Sequence, residues 1–220
     1  MGNFKPLFIK IGELEHLKLL QKEGLLYCNT LQYFANLKDE QGRGDILENV
    51  IEITFYEDAK MYLISEDLNK MTSFDISGSH KYKRVKSHCG NLYCLYALKL
   101  NDTPLGVQKL NIDSQLGKYA LIIEDSTTFL ERAKTALNNN KLAYQGGYVE
   151  YNDFKEYSGK KSFFQKDDKY KHQNEYRILI NYQEEKELQL RIGSIEDISK
   201  IVSMEELAKW VLIRPSPKTA

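Results

Sequence analysis

The chain has 220 residues, enough for one domain with a sizeable core, and its 42% hydrophobic and 28% charged content is ordinary for a globular protein. Its 31 basic residues balance its 31 acidic ones, so no global field draws in nucleic acid and any such attraction has to be local. Three cysteines argue against a disulfide framework, no apolar run reaches membrane-spanning length and the N-terminus lacks a signal-peptide pattern, so a cytoplasmic location is expected.

In chain order, Leu7–Ile11 predicts a first strand, and Glu13–Glu23 a helix with Leu14, Leu17 and Leu20 on one face, stopped by Gly24. Leu25–Asn29 resumes as a strand, followed by Leu31-Gln32-Tyr33-Phe34 and a polar loop from Lys38 to Gly44. Further strands are expected at Val50–Tyr56, Lys60–Ile64, Leu92–Leu100 and Tyr119–Ile123. Ser126 suits the N-cap of a helix carrying Phe129, Ala133, Ala136 and Leu137, which ends at Asn138-Asn139-Asn140. Tyr148–Tyr151 and Tyr176–Tyr182 return to strand, with Leu188–Ile192 expected as the hairpin partner of the latter. Ser203-Met204-Glu205-Glu206 has the form of a capping box before a last short helix, and Trp210–Ile213 forms the final strand. Strands outnumber helices without alternating with them, which favours one α+β domain over residues 1–220.

Phosphate loops, dinucleotide fingerprints, nucleophile elbows and zincin motifs are all absent from the sequence, and His88, Cys89 and Cys94 lack a second half of a zinc spacing, so no metal is expected. Two cationic runs stand out: Lys81 to Lys86, containing Lys83 and Arg84, and Lys155 to Lys171, containing Lys166, Lys169 and Lys171. The second is read as an exposed loop, too charged to bury, that leads into Gln173-Asn174-Glu175 at the start of an apolar strand. The Gln-x-Glu spacing turns both side chains to one face of an extended strand, because strand side chains alternate. A carboxylate there suits cleavage of a glycosidic bond through a sugar cation, with the nucleophile supplied by the acceptor. The fifteen Tyr offer stacking faces for a ring. The bland alternatives are a surface ion pair between Glu175 and Arg177 or a nearby Lys, core roles for Tyr27 and Tyr33, and solvated loop positions for Asp45 and Glu48.

On Gln173-Asn174-Glu175, together with the opening Leu7–Ile11, helix and Gly24–Asn29, the chain resembles the ADP-ribosyltransferase superfamily. Many members place His or Arg in the first strand, where Lys10 stands here. The resemblance implies an α+β fold of mixed and antiparallel strands in two packed sheets with a few flanking helices, and NAD as co-substrate. It implies catalytic Glu175 and Gln173, with Tyr27, Asn29 and Tyr33 on the nicotinamide side and Lys10 and Arg43 on the phosphates. The chain is also similar to bacterial phage-defence toxins that modify nucleic acid, which implies a nucleic-acid acceptor and an antitoxin partner. The acceptor would be held by Lys166, Lys169, Lys171, Lys83 and Arg84, with single-stranded RNA favoured by cations interleaved with aromatics. Two other enzymatic readings stay open: transfer to a protein, and a metal-dependent nuclease built on Asp39, Asp45 and Glu48. A non-catalytic nucleotide- or partner-binding module with a structural Glu175 is the remaining alternative.

Overall fold

The computed structural model describes residues 6–37, 44–64, 71–84, 90–98, 106–109, 112 and 116–214. Along the chain these form β1 (Leu7–Gly12), α1 (Leu14–Glu23), β2 (Leu25–Thr30), α2 (Leu31–Asn36), β3 (Val50–Ile64), β4 (Met71–Arg84) and β5 (Asn91–Leu98). There follow β6 (Gly106–Lys109), β7 (Tyr119–Ile123), α3 (Ser126–Asn139), β8 (Ala143–Tyr148), β9 (Glu150–Asn152), β10 (Gly159–Lys160) and β11 (Gln165–Asp167). A 3-10 helix (Asp168–Gln173) then leads into β12 (Glu175–Asn181), β13 (Leu188–Arg191), β14 (Ser199–Ser203), α4 (Met204–Leu207) and β15 (Val211–Arg214). The class is α+β, with few helices and strands that pair antiparallel except at β9–β11. No helix among the described residues is long and apolar enough to cross a membrane.

The architecture turns on β5. One of its edges is covered by β12, which pairs with it from Asn91 to Tyr96. The other edge is shared: β1 takes Tyr96 to Leu98, and β2 takes Asn91 and Leu92. The main sheet therefore forks, with one branch continuing through β1, β7 and β14 and the other through β2 and β13. Between the branches Tyr93, Cys94 and Leu95 have no strand partner on that side among the described residues. Lys10 reaches into this gap, its Nζ donating to the Cys94 carbonyl at 2.8 Å and lying 4.6 Å above the Tyr93 ring. A buried carbonyl without a partner is costly, so this contact helps hold the fork open at little penalty.

One face of the sheet is packed by α1 and α3. Leu17 and Leu20 of α1 and Phe129, Ala133 and Leu137 of α3 meet Phe8, Tyr93, Leu95 and Ile178 in the main core. Helical spacing puts those α3 side chains on one stripe, as expected, but the cap is Asp125, whose carboxylate accepts from the Thr127 and Thr128 amides. Ser126 is instead buried as the first helical residue. Gly24 ends α1 at φ 62°, where a Cβ would lie 2.0 Å from the Gly193 carbonyl oxygen.

Three expectations about strand pairing need correction. Val50–Tyr56 and Lys60–Ile64 are one strand, and the basic run at Lys81 lies on its partner, β4. The segment Tyr148–Tyr151 is divided between β8, which pairs with β12, and β9, which pairs with β11. β13 is no hairpin partner of β12: it crosses to β2, because both edges of β12 are already taken by β5 and β8.

Candidate functional site

Strand alternation sorts the residues around the fork. On the face of β5 opposite α1 and α3, Leu92, Cys94 and Tyr96 sit in register with Leu179, Arg177 and Glu175 of β12. Register with β1 and β2 adds Ile9 and Asn29 to this face, and Tyr27 follows by alternation. All of these except Leu179 line a cleft of about 1010 Å³ that occupies the fork. Its aromatic wall includes Tyr27 and Tyr33, 48% and 43% exposed, which leaves their rings free to stack against a ligand.

Glu175 begins β12, and its placement is fixed on three sides. Its amide donates to the Tyr151 hydroxyl at 2.9 Å, its carbonyl accepts from the Val149 amide, and the Asn174 carbonyl accepts from Ala97. Asn174 turns the chain at φ 42°, so Gln173 belongs to the 3-10 helix and not to the strand. The expected Gln-x-Glu alternation is therefore absent. Gln173 and Glu175 are brought together by a third residue, Lys166, whose Nζ donates to Gln173 Oε1 and to Glu175 Oε1, both at 2.7 Å.

Lys166 is itself only 3% exposed. The charged stretch before Glu175 was expected as an open loop; instead β11 and the 3-10 helix fold it inward, and Lys166 points to the site while Lys169 and Lys171 stay exposed. Lys169 lies 4.9 Å over the Tyr170 ring.

A second surprise comes from the segment before β3. Asp45 and Glu48, expected as solvated, are each 1% exposed. Glu48 receives both guanidinium nitrogens of Arg177, at 2.6 and 2.9 Å, and the Arg177 Nε donates to Glu175 at 2.7 Å. Arg177 also donates to the Phe163 carbonyl at 2.5 Å. Burial alone would raise the Glu175 carboxyl, but Arg177 and Lys166 outweigh it and hold the group well below the usual carboxylate range. Burial likewise acts to lower Arg177 and Lys166, and the carboxylates beside them reverse that effect in both.

Lys161 completes the group at 4% exposure. Burial pulls its amine down to about 8, and Glu48 and Asp45 offset this only in part. Asp45 is raised by burial and by Glu48, and its Oδ2 has no hydrogen-bond partner. Three carboxylates thus face three cations in a largely buried group, whose Glu175 side chain remains 11% exposed on the cleft wall. A buried Arg in a strand is a weak sequence signal; the hint available was Arg177 alternating with Glu175 in an otherwise apolar run.

The remaining sequence candidates fall elsewhere. Arg43 and Asp39 lie outside the described residues. Lys83 is on the β3–β4 ribbon, ion-paired with Glu52 at 3.0 Å, and Arg84 caps the Ile46 carbonyl and bonds Asn49. Neither lines the cleft. Lys10, Tyr27, Asn29, Tyr33, Gln173 and Glu175 all do. No protein-family model, curated protein or solved structure matches the chain.

Proposed function

We propose that the chain is an ADP-ribosyltransferase that uses NAD and transfers ADP-ribose to a nucleic acid, with RNA preferred. The observation that carries this reading is the position of Glu175: a carboxylate held ionised on the wall of a cleft whose opposite branch presents Tyr27 and Asn29. The cleft volume lies at the upper end of the usual range for ligand pockets, which suits a dinucleotide. In the reaction the bond from ribose C1 to the nicotinamide nitrogen breaks, and nicotinamide leaves with the electron pair. Glu175 stabilises the positive charge left on the ribose, and the acceptor's attacking atom forms the new bond and gives up its proton to solvent. Gln173 fixes Lys166 beside the carboxylate, Tyr27 and Tyr33 offer stacking faces for the leaving ring, and Lys10 lends positive charge for the phosphates.

Lys166 moves from the acceptor to the carboxylate in this reading, which leaves Lys169, Tyr170 and Lys171 to receive the acceptor. Lys169→Gln combined with Lys171→Gln should make the salt dependence of RNA binding shallower by up to about two units while NAD hydrolysis by water stays intact. An unchanged slope would remove the RNA from this surface.

One observation favours a second reading. Glu175 is compensated by two cations, which is how a structural carboxylate is held, and a nucleotide-binding module without turnover would need nothing more. Labelled NAD separates the two. The enzyme releases nicotinamide, and Glu175→Gln lowers that rate by ~10²–10³, the loss typical of removing one charge-stabilising group. Binding by calorimetry with no release from wild type assigns the module, and absence of binding removes both readings.

A further inference from the structure

The β3–β4 ribbon takes no part in the proposed reaction. Among the described residues, β10 pairs with β3 at Glu52 and Ile53, and from Tyr56 to Ile64 and back from Met71 to Ser79 the two strands pair only with each other. At ~3.3 Å per residue these nine-residue stretches form an arm roughly 30 Å long. An isolated two-stranded ribbon is marginally stable in water, and this one exposes Tyr56, Met61, Tyr62, Phe74 and Tyr82. The outer edge of β4 has no strand partner among the described residues, which leaves a row of backbone donors and acceptors open to a further strand.

Charge along the arm says what covers it. Its outer half carries Glu57, Asp58 and Asp75 against Lys60. Its base carries Lys81, Lys83 and Arg84 against Glu52. A net acidic outer half disfavours nucleic acid along the length of the arm, whereas an acidic end and a basic end fit each other when two arms run antiparallel.

We propose that the free edge of β4 pairs antiparallel with β4 of a second copy of this chain, about a two-fold axis at Gly78, joining the two ribbons into one four-stranded sheet. With the axis there, Asp75 stands opposite the second copy's Lys81 and Phe74 opposite its Tyr82, and symmetry repeats each pair. Asp75 is free to do so: its pair with Lys60 is long, 3.6 Å, and its side chain is 84% exposed. Gly78 sits at φ 68°, outside the extended region, so the ladder between the copies is carried by the residues on either side of it. Parallel pairing in register would set Lys81 against Lys81 and Asp75 against Asp75, which repel. The zero net charge of the chain removes long-range repulsion between copies.

Sedimentation equilibrium of the full chain tests this, with circular dichroism to confirm that each variant folds. Wild type should show a concentration-dependent dimer. D75K and K81D should each weaken it by roughly tenfold, because two exposed cross-strand attractions per dimer become repulsions. D75K/K81D together should return the dissociation constant to within about threefold of wild type, since the pairs are restored with their signs exchanged. A monomer at all concentrations up to about 1 mM, or a double variant no better than the singles, overturns the proposal. So does a monomeric wild type that binds single-stranded RNA through Lys81, which would assign the arm to nucleic acid.

Discussion

Arg177 and Arg132 make the same contact in opposite surroundings. Each sets two guanidinium nitrogens against both oxygens of one carboxylate: Arg177 on Glu48 at 2.6 and 2.9 Å, Arg132 on Asp197 at 2.8 and 2.6 Å. Arg177 is 1% exposed and shares its third nitrogen with a second carboxylate, Glu175, while the Arg132 side chain is 29% exposed at the rim of α3. Bond lengths therefore do not rank these interactions; water does. In the buried group the charges have given up most of their hydration, so each depends on the others. At the rim, solvent replaces whatever the partner loses. The buried network is also what ties distant parts of the chain together, because Glu48 follows α2 while Arg177 lies 129 positions later in β12.

Arg177→Ala has the largest expected effect, because it leaves Glu48 and Glu175 buried without their shared cation. A loss of ~3–5 kcal/mol in denaturant unfolding at pH 7 is expected. A loss no greater than that from Arg132→Ala would mean that burial is not what separates the two pairs.

Lys161 makes the buried group sensitive to alkaline pH. Its folded value, about 8, lies below the ordinary lysine value of 10.5, so the charged amine is penalised in the folded state. That penalty is fully present below pH 8 and is relieved as pH rises from about 8 to 10.5. Lys161→Met removes it at every pH. The stability of wild type relative to Lys161→Met should therefore rise by roughly 3 kcal/mol across that window. The difference between the two proteins isolates Lys161 from the Cys28 and Cys94 thiols, both pushed up to about 12 by burial, whose own contribution falls over the same alkaline range. A flat difference would show that Lys161 is not held as a buried cation.

Glu175→Gln comes next in size. Its depressed carboxyl contributes stability above the ordinary carboxylate value of ~4.3 and loses it as pH falls below that. The variant should be less stable by ~1–3 kcal/mol at pH 7, with the gap closing from about pH 4 downward. A gap that widens on acidification would mean that the carboxylate is not stabilised by Arg177 and Lys166.

The fold class and most elements were legible because they rest on local signals: the Leu stripe of α1 with Gly24 behind it, the α3 stripe, and the alternation of Tyr176, Ile178 and Ile180. Pairing was not legible, because β13 reaches β2 across more than 150 residues and nothing in Leu188–Arg191 names its partner. Glu175, Tyr27 and Asn29, singled out on the resemblance, line one cleft, although the Gln-x-Glu alternation expected beside Glu175 is absent. The charge network was not legible. Lys166, Asp45 and Glu48 look like surface residues by composition, and their burial depends on partners that only the fold brings near. The sequence also hid the long ribbon, since β4 carries the polar pattern of an exposed strand.

The smallest expected effect falls on Arg132, the exposed counterpart of Arg177. Arg132 holds Asp197 with a bidentate contact and also donates to the Ser194 carbonyl at 2.5 Å, so by geometry alone its loss should be among the costliest on the surface. Three things argue otherwise. The carboxylate of Asp197 is rehydrated when the guanidinium leaves, Ser194 is an exposed residue, and the freed rotamers of a long side chain return entropy. Arg132→Ala should shift the denaturant midpoint least of the four variants, and the shift should shrink further in 1 M salt, where exposed pairs are screened within about 3 Å. Arg177→Ala should keep nearly all of its effect at the same salt, because its partners are out of reach of the ions. If both variants lose their effect equally in salt, the Glu48–Arg177–Glu175 group is open to solvent, and a carboxylate held ionised by its neighbours is no longer a reason to place chemistry at Glu175.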